Sequence, residues 1–529
     1  MRALSRPSDL CGEVVIELLA RDKGPKYETS RTRPRRDRGE KHNLLTDDGI
    51  LAENVSPMTA KTNSPLNIRA IALYSGPLLA GVSALASVEF GGCSSEMGWT
   101  IAVVILCAVW WVFEPIAMAA TSLIPFAVLP LCGVLTSEQV ASSYGNSMIL
   151  LILGGFMLST AMQRSGAHRR IALTMVNAFS GRDQSTTNGR FVVFGFMLSA
   201  AFLSMWISNA ATTLMLLPII MAVTEGTNQA RLQTCLLIGV AYAASIGGTA
   251  TPIGTPPNLV FMQVYALEGF DKPSFLQWMG WMLPVVVIML PIAGFWLTRN
   301  LKLDQPIRLP DVGAWRSEET RTLTVFAITA LLWITRTGPL GGWSSWLDLP
   351  HANDASVALL AVVALHLIPN GKGEPLLTWE AAERIPWGVL LLFGGGIAIA
   401  SGFKESGLSE LVGQALAPLT QVHPVVMIGV ICLVVTFLTE VTSNTATANL
   451  LLPILAATAT ASDLDPKLLM IPATISASFA FMLPVATAPN VIVFGSNRLT
   501  IREMAREGLV LNLIGAVVLT LVCSWLFAT

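Results

Sequence analysis

The sequence predicts an all-α polytopic membrane protein, with about eleven transmembrane spans plus two re-entrant helical hairpins set in an inverted repeat. Three observations carry this. Apolar residues make up 53% of the 529 residues and charged residues 13%, and the mean hydropathy is +0.61, outside the range of a soluble globular protein. From Ile71 onward, apolar segments long enough to cross or half-cross a bilayer follow one another. Two of them are interrupted by one polar signature, WISNAATTLMLLP at Trp206–Pro218 and EVTSNTATANLLLP at Glu440–Pro453, with a proline ten residues after each Ser of the Ser-Asn pair.

Taken in order, residues 1–65 are polar, carry both signs of charge and include the run Arg31–Arg38. They contain no apolar core of a secretory signal, so they read as a disordered cytoplasmic tail. A start at Met58 is an alternative. The membrane domain then covers 66–529, with spans at about 70–88, 98–113, 115–133 and 147–162, a hairpin at 190–223, and a span at 232–266 broken by a glycine-rich stretch. Spans at about 278–298, 322–335, 355–369 and 386–402 follow, then a second hairpin at 424–460, a broken span at 467–495 and a last span at 508–528. The first repeat covers about 147–298 and the second about 386–528.

Charge placement supports that layout. With the tail inside, the outer loops hold only Lys272, Arg336, Lys404 and Lys467, and the remaining Lys and Arg of the loops gather on the cytoplasmic side. This orients the chain in a plasma membrane with its N-terminus cytoplasmic and its C-terminus outside. Every Lys and Arg falls outside the membrane core, so nothing bound there is held by a basic side chain.

The repeat extends beyond the Ser-Asn pairs. GGTATPIGTPPN at Gly247–Asn258 follows the first and PVATAPN at Pro484–Asn490 the second. Upstream, Leu153-Gly154-Gly155 before Ser165-Gly166 matches Phe393-Gly394-Gly395 before Ser406-Gly407. In hydrocarbon, a break in backbone hydrogen bonding is tolerated where it lines a polar cavity or is buried in protein. Ser, Asn and Thr at such a break cap a new helix. Each signature therefore reads as a hairpin tip, and duplicated broken helices point to a secondary carrier with its site between the repeats.

The tips offer hydroxyls, amides and the free N–H groups of a helix start, equivalent to roughly +0.5 of a charge, which suit an anion. Their free carbonyl oxygens and hydroxyls suit a small hard cation, sodium before any transition metal. An isolated ion in a low-dielectric medium costs on the order of 20 kcal/mol by an idealised Born estimate. Sodium bound beside a dianion offsets this, so the two are expected to bind cooperatively.

Other classes are weighed against this. The seven cysteines and five histidines show no ligand spacing, so no metal cofactor is expected. No nucleophile–base constellation marks an enzyme, and hairpins with dead-end tips argue against a channel. Nothing points to nucleic acid. Ser, Thr and Asn in a lone membrane helix often bond a neighbouring carbonyl, and Pro252, Pro256, Pro257, Pro484 and Pro489 taken singly are kinks; their duplication favours a functional break. Glu440 is either an ion-handling carboxylate or a hydrogen-bonded strut. Trp206 is the aromatic residue placed to touch the site.

These four motifs in order resemble the divalent anion/sodium symporter family, over about Ile71 to the C-terminus. The resemblance implies sodium-coupled carriage of di- or tricarboxylates or sulfate, and a homodimer whose hairpins and broken spans move as an elevator. It implies a first sodium site of Ser204, Ser208, Asn209, Thr251 and Gly254, and a second of Thr439, Ser443, Asn444 and Ala486. Substrate carboxylates would meet Ser208, Asn209, Thr255, Ser443, Asn444, Thr445, Thr487 and Pro489. Ala210 stands where the family's first motif has Thr. The expected function is sodium-coupled symport of a C4-dicarboxylate such as succinate, malate or fumarate. A sodium-independent exchanger and a sulfate or tricarboxylate carrier are the alternatives.

Overall fold

The first apolar runs fold as α1 (Ile68–Glu89) and α2 (Ser95–Phe113), packed along each other. Ser94 caps α2 by accepting from Met97 N at 3.2 Å. On α1, Tyr74, Leu78, Val82 and Leu85 are exposed, as suits a surface toward hydrocarbon. The computed structural model describes residues 68–180, 189–225, 229–301, 309, 311–338 and 341–527. The expected N-terminal tail lies outside the described residues. Among those residues the structure is helical, with a single isolated bridge between Pro369 and Pro375.

The span expected at 115–133 is instead two short helices, α3 (Met118–Thr121) and α4 (Ile124–Leu131). Pro125 stands in the first turn of α4, where its missing N–H has no intrahelical acceptor to lose and its fixed φ suits a helix start, so it marks where the second helix begins. After α5 (Ser137–Tyr144), α6 (Ser147–Ser165) ends at Gly166, whose φ of 75° lets the chain turn into α7 (Ala167–Ser180). The first hairpin is α8 (Gly189–Ser204) and α9 (Asn209–Thr224); the first broken span is α10 (Ala230–Gly248) and α11 (Pro256–Leu267).

Next come α12 (Phe275–Thr298), α13 (Ser317–Thr335), α14 (Gly342–Trp346), α15 (Asp354–Leu367) and α16 (Trp379–Ala382). The second half repeats the first. α17 (Trp387–Glu405) turns at Gly407, φ 77°, into α18 (Leu408–Leu416); α19 (Pro424–Thr439) and α20 (Asn444–Ala461) form the second hairpin. The second break separates α21 (Lys467–Ser476) from α22 (Ala488–Phe494), and α23 (Ile501–Phe527) closes the chain.

Seven described helices or helix pairs are long and apolar enough to cross a membrane, α5 and α6 counting together; α13 and α20 are of similar length but are not among the seven, and the remaining expected spans are shorter helices, the hairpin arms α8, α9 and α19 among them. The halves interlock crosswise. The outgoing arm of each hairpin packs on the far piece of the other half's broken span, α9 on α22 and α20 on α11. Around this centre lie fully buried Phe196, Tyr242, Phe261, Trp278, Phe479 and Phe481.

Charged residues pair with one another away from that centre. Arg170 binds Glu319 at 2.7 Å, Arg231 and Arg299 share Glu507 at 3.3 and 2.9 Å, and Lys372 binds Glu318 at 3.1 Å. All these cations belong to the set that the sequence places on one side.

Candidate functional site

At the first tip, α8 stops at Ser204 and α9 begins with Ser208 as its cap, the Ser208 hydroxyl accepting from Ala211 N at 3.2 Å. The fully buried Ser204 hydroxyl donates to Asn209 Oδ1, which fixes the amide across the turn. The second tip has the same parts. The fully buried Thr439 hydroxyl lies 2.8 Å from Asn444 Oδ1 and 2.9 Å from the Ala477 carbonyl. Ser443 caps α20 by backbone geometry alone, so its hydroxyl is not consumed by the first turn.

Each break leaves backbone groups that no helix satisfies, and buried groups of this kind need partners. At the first, Asn258 Nδ2 donates to the carbonyls of Gly248, Thr249 and Thr251 at 3.4, 3.3 and 2.7 Å, and Trp278 Nε1 donates to Thr249 O at 3.0 Å. Thr251 in turn donates its hydroxyl to the Met205 carbonyl, tying this break to the first tip. At the second, Asn490 Nδ2 reaches the carbonyls of Ala480 and Leu483 at 3.1 and 3.0 Å. The Glu440 carboxylate, 3% exposed, accepts from Met482 N and Leu483 N, both at 2.8 Å, and from Asn512 Nδ2 at 2.7 Å. The Oδ1 atoms of Asn258 and Asn490 are buried without a hydrogen-bond partner among the described residues.

Tips and breaks enclose one cavity of about 350 Å³. Ser208, Asn209 and Ala210 line it from the first tip and Ser443, Asn444 and Thr445 from the second; Gly254 and Thr255 come from one break and Ala486, Thr487 and Pro489 from the other. Ser204, Thr251 and Thr439 stand behind this lining, where they hold the tips in place. Among the described residues, no Lys, Arg, His, Asp or Glu lines the cavity. The N-termini of α9, α11 and α20 open onto it, so the positive potential there comes from backbone dipoles. Among the described residues, no cluster of three His, Cys, Asp or Glu could hold a metal ion.

Sequence reasoning missed part of the wall. Ile152, Gly155, Phe156 and Ser159 of α6 and Pro386, Val389 and Phe393 around α17 complete it. The duplicated Leu-Gly-Gly and Phe-Gly-Gly pairs were the signal. Trp206 also lines the cavity, stacked on Phe275 with centroids 5.9 Å apart. Close backbone approach matters at one more place: a Cβ on Gly254 would collide with the Gly248 carbonyl. Gly254→Ala is expected to cost about 1–3 kcal/mol of stability by prying Gly254 away from Gly248 and opening the first break. An unchanged thermal unfolding midpoint in detergent would contradict this.

A sequence profile described as the sodium:sulfate symporter transmembrane region matches residues 90–528. The chain belongs to that family. The resemblance read from the paired Ser-Asn signatures is thereby borne out. Among symporter relatives, the sodium-dependent dicarboxylate transporter SdcS of Staphylococcus saprophyticus is 37% identical over 492 residues, 88% of this chain and 93% of that protein. SdcS of Staphylococcus aureus is 39% identical over 453 residues, 81% of this chain and 85% of that protein. Two solved structures share the fold. The Alcanivorax borkumensis YdaH transporter superposes with a TM-score of 0.53 at 15% identity, over 74% of this chain and 86% of that one. Neisseria gonorrhoeae MtrF does so with 0.54 at 11% identity, over 88% and 96%. This symporter-family chain is therefore a membrane transport protein and not an enzyme.

Proposed function

We propose that the chain is a secondary active transporter that couples sodium entry to uptake of C4-dicarboxylates, such as succinate, malate or fumarate, across the plasma membrane. The observation that carries this reading is a cavity walled by two Ser-Asn tips, opened onto by helix N-termini and free of charged side chains. A dianion entering it finds dipoles but no full positive charge, so an accompanying cation is required. The names of the Staphylococcus relatives, sodium-dependent dicarboxylate transporters, support the same pairing.

In this reading the first sodium ion is held by Ser204, Ser208, Asn209, Thr251 and Gly254, and the second by Thr439, Ser443, Asn444 and Ala486. A hydroxyl that donates to an amide oxygen keeps its lone pairs, so Ser204 with Asn209 and Thr439 with Asn444 each present two hard oxygens to one ion. Substrate carboxylates meet Ser208, Asn209, Thr255, Ser443, Asn444, Thr445, Thr487 and Pro489. The two halves, about 147–298 and 386–528, act as inverted repeats. The carrier works as a homodimer, its N-terminus cytoplasmic and its C-terminus outside, with the hairpins and breaks moving together as an elevator.

Uptake of labelled succinate into proteoliposomes, with and without an inward sodium gradient, tests the reading. Sodium-dependent accumulation is expected. Exchange that ignores sodium, or uptake that sulfate or citrate outcompetes, would replace it with the exchanger or with the other anion classes. Ala210 lines the cavity where Thr445 stands in the other half. Ala210→Thr is expected to change the ranking of succinate, malate and citrate as competitors by roughly threefold or more while sodium dependence persists, since one added hydrogen bond to a charged group contributes about 1.5–3 kcal/mol at most. An unaltered ranking would show that this position does not meet substrate.

A further inference from the structure

A second cavity, of about 470 Å³, lies beside the first. Two helices border both. On α6, Ser159 lines the inner cavity and Gln163, one turn further, lines the outer one; Gln163 Nε2 donates to Ser159 Oγ at 3.3 Å. On α9, Ala210 lines the inner cavity, and Ala211, Leu214, Pro218 and Ala222 line the outer one. At 1.5 Å per residue, the α9 wall runs roughly 18 Å from Ala210 to Ala222. The two cavities have no lining residue in common, but they follow one another along α6 and α9, the outer one lying further from the tips and open to the surface at Leu214, Pro218 and Ala222.

Its outer end carries Arg169, at the start of α7 beside His168. The neighbouring arginines are neutralised, Arg164 by Glu374 and Arg170 by Glu319. Arg169 is exposed and has no carboxylate or hydrogen-bond acceptor among the described residues. Among the described residues, no Asp or Glu lines the cavity it faces. A lone cation at the end of a low-dielectric cleft focuses its field along that cleft and raises the local concentration of anions.

Building on the proposed dicarboxylate transport, we propose that the cleft between α6 and α9 is the route between the binding cavity and one membrane face, and that Arg169 is a transient capture site for the dicarboxylate at its mouth. The single full charge stands where the anion is still hydrated and is absent where it is bound tightly. Arg169 thus speeds arrival without holding the substrate, and the dipoles and sodium take over inside. On the α9 side the wall of Leu214, Met215, Pro218 and Ile219 offers the anion no polar side chain, and Gln163 of α6 is engaged with Ser159.

Two measurements test this in membrane vesicles of each orientation. Arg169→Glu is expected to raise the KM for succinate about threefold to tenfold at the α7 face alone, with a smaller effect on maximal rate, and to weaken its dependence on ionic strength; Arg169→Lys is expected to retain both. In a Leu214→Cys variant, a membrane-impermeant sulfonate thiol reagent is expected to react from the α7 face above the background of the parent chain, and more slowly when Arg169→Glu is also present. An unchanged KM in Arg169→Glu would remove the capture site. Reaction of Leu214→Cys with a lipid-soluble maleimide only would mean that lipid fills the cleft, and would overturn the route. The parent chain separates the two levels: sodium-driven succinate uptake that is intact while these variants fail overturns the route alone, and its absence overturns the dicarboxylate reading together with the capture of that anion.

Discussion

Asn444→Ala is expected to reduce sodium-driven succinate uptake by roughly 100-fold or more while leaving a folded protein. Asn444 lines the cavity, and its Oδ1 is held by Thr439 across the second tip. Truncation removes an oxygen facing the ion and an amide facing the anion, each contributing about 1.5–3 kcal/mol as a hydrogen bond to charge, and cooperative binding compounds the two losses. Thr439 keeps the Ala477 carbonyl as an acceptor, so the buried hydroxyl is not orphaned. Asn209→Ala is expected to abolish uptake equally and to destabilise more. Ser204 is fully buried and Asn209 Oδ1 is its acceptor at the tip, so its loss adds about 1–3 kcal/mol for an unpaired hydroxyl. Uptake and detergent thermal unfolding of both variants check this. Transport retained in either one would remove the tips from the binding site.

Glu440→Ala is expected to lower stability by about 3–5 kcal/mol, because it strands the N–H groups of Met482 and Leu483 and the Asn512 amide in a dry interior. The carboxylate is absent from the cavity lining, and three protein donors occupy it. Of the two readings the sequence left open, the strut is the one these contacts support. Glu440→Gln keeps one accepting oxygen but sets an NH₂ group against a backbone N–H, so it is expected to fall between the parent and Glu440→Ala. Thermal unfolding separates the three, and a Glu440→Ala midpoint equal to the parent's would sink the assignment. In the first half the corresponding residue is Met205, and there the tie runs through its carbonyl to Thr251. The two breaks are anchored by different chemistry in the same place.

The tips and the breaks were legible in the sequence because polar residues in an apolar run are costly and announce themselves twice. Ser208-Asn209 and Ser443-Asn444, with Thr255 and Thr487 downstream, meet in one cavity. Less was readable where the signal is spread over distant residues. α7 and α18 are hard to read from sequence because each is short and lies beside a long apolar run; the Ser-Gly pairs before them stand out, but the left-handed turns at Gly166 and Gly407 do not. Pro125 was absorbed into an apolar stretch that hydropathy counts as continuous. The role of Glu440 could not be read locally, since its partners lie more than forty residues away.

The crosswise seating of α9 on α22 and of α20 on α11 has a consequence for how the molecule can be divided. A cut between α12 and α13 would leave two fragments that each keep a tip and its own break but lose part of the shared cavity wall, and each would hold a gap without the arm that fills it. Neither fragment would be a smaller version of the whole. Each half's interior is finished only by the other, so the duplication has become a clasp that must close as one piece.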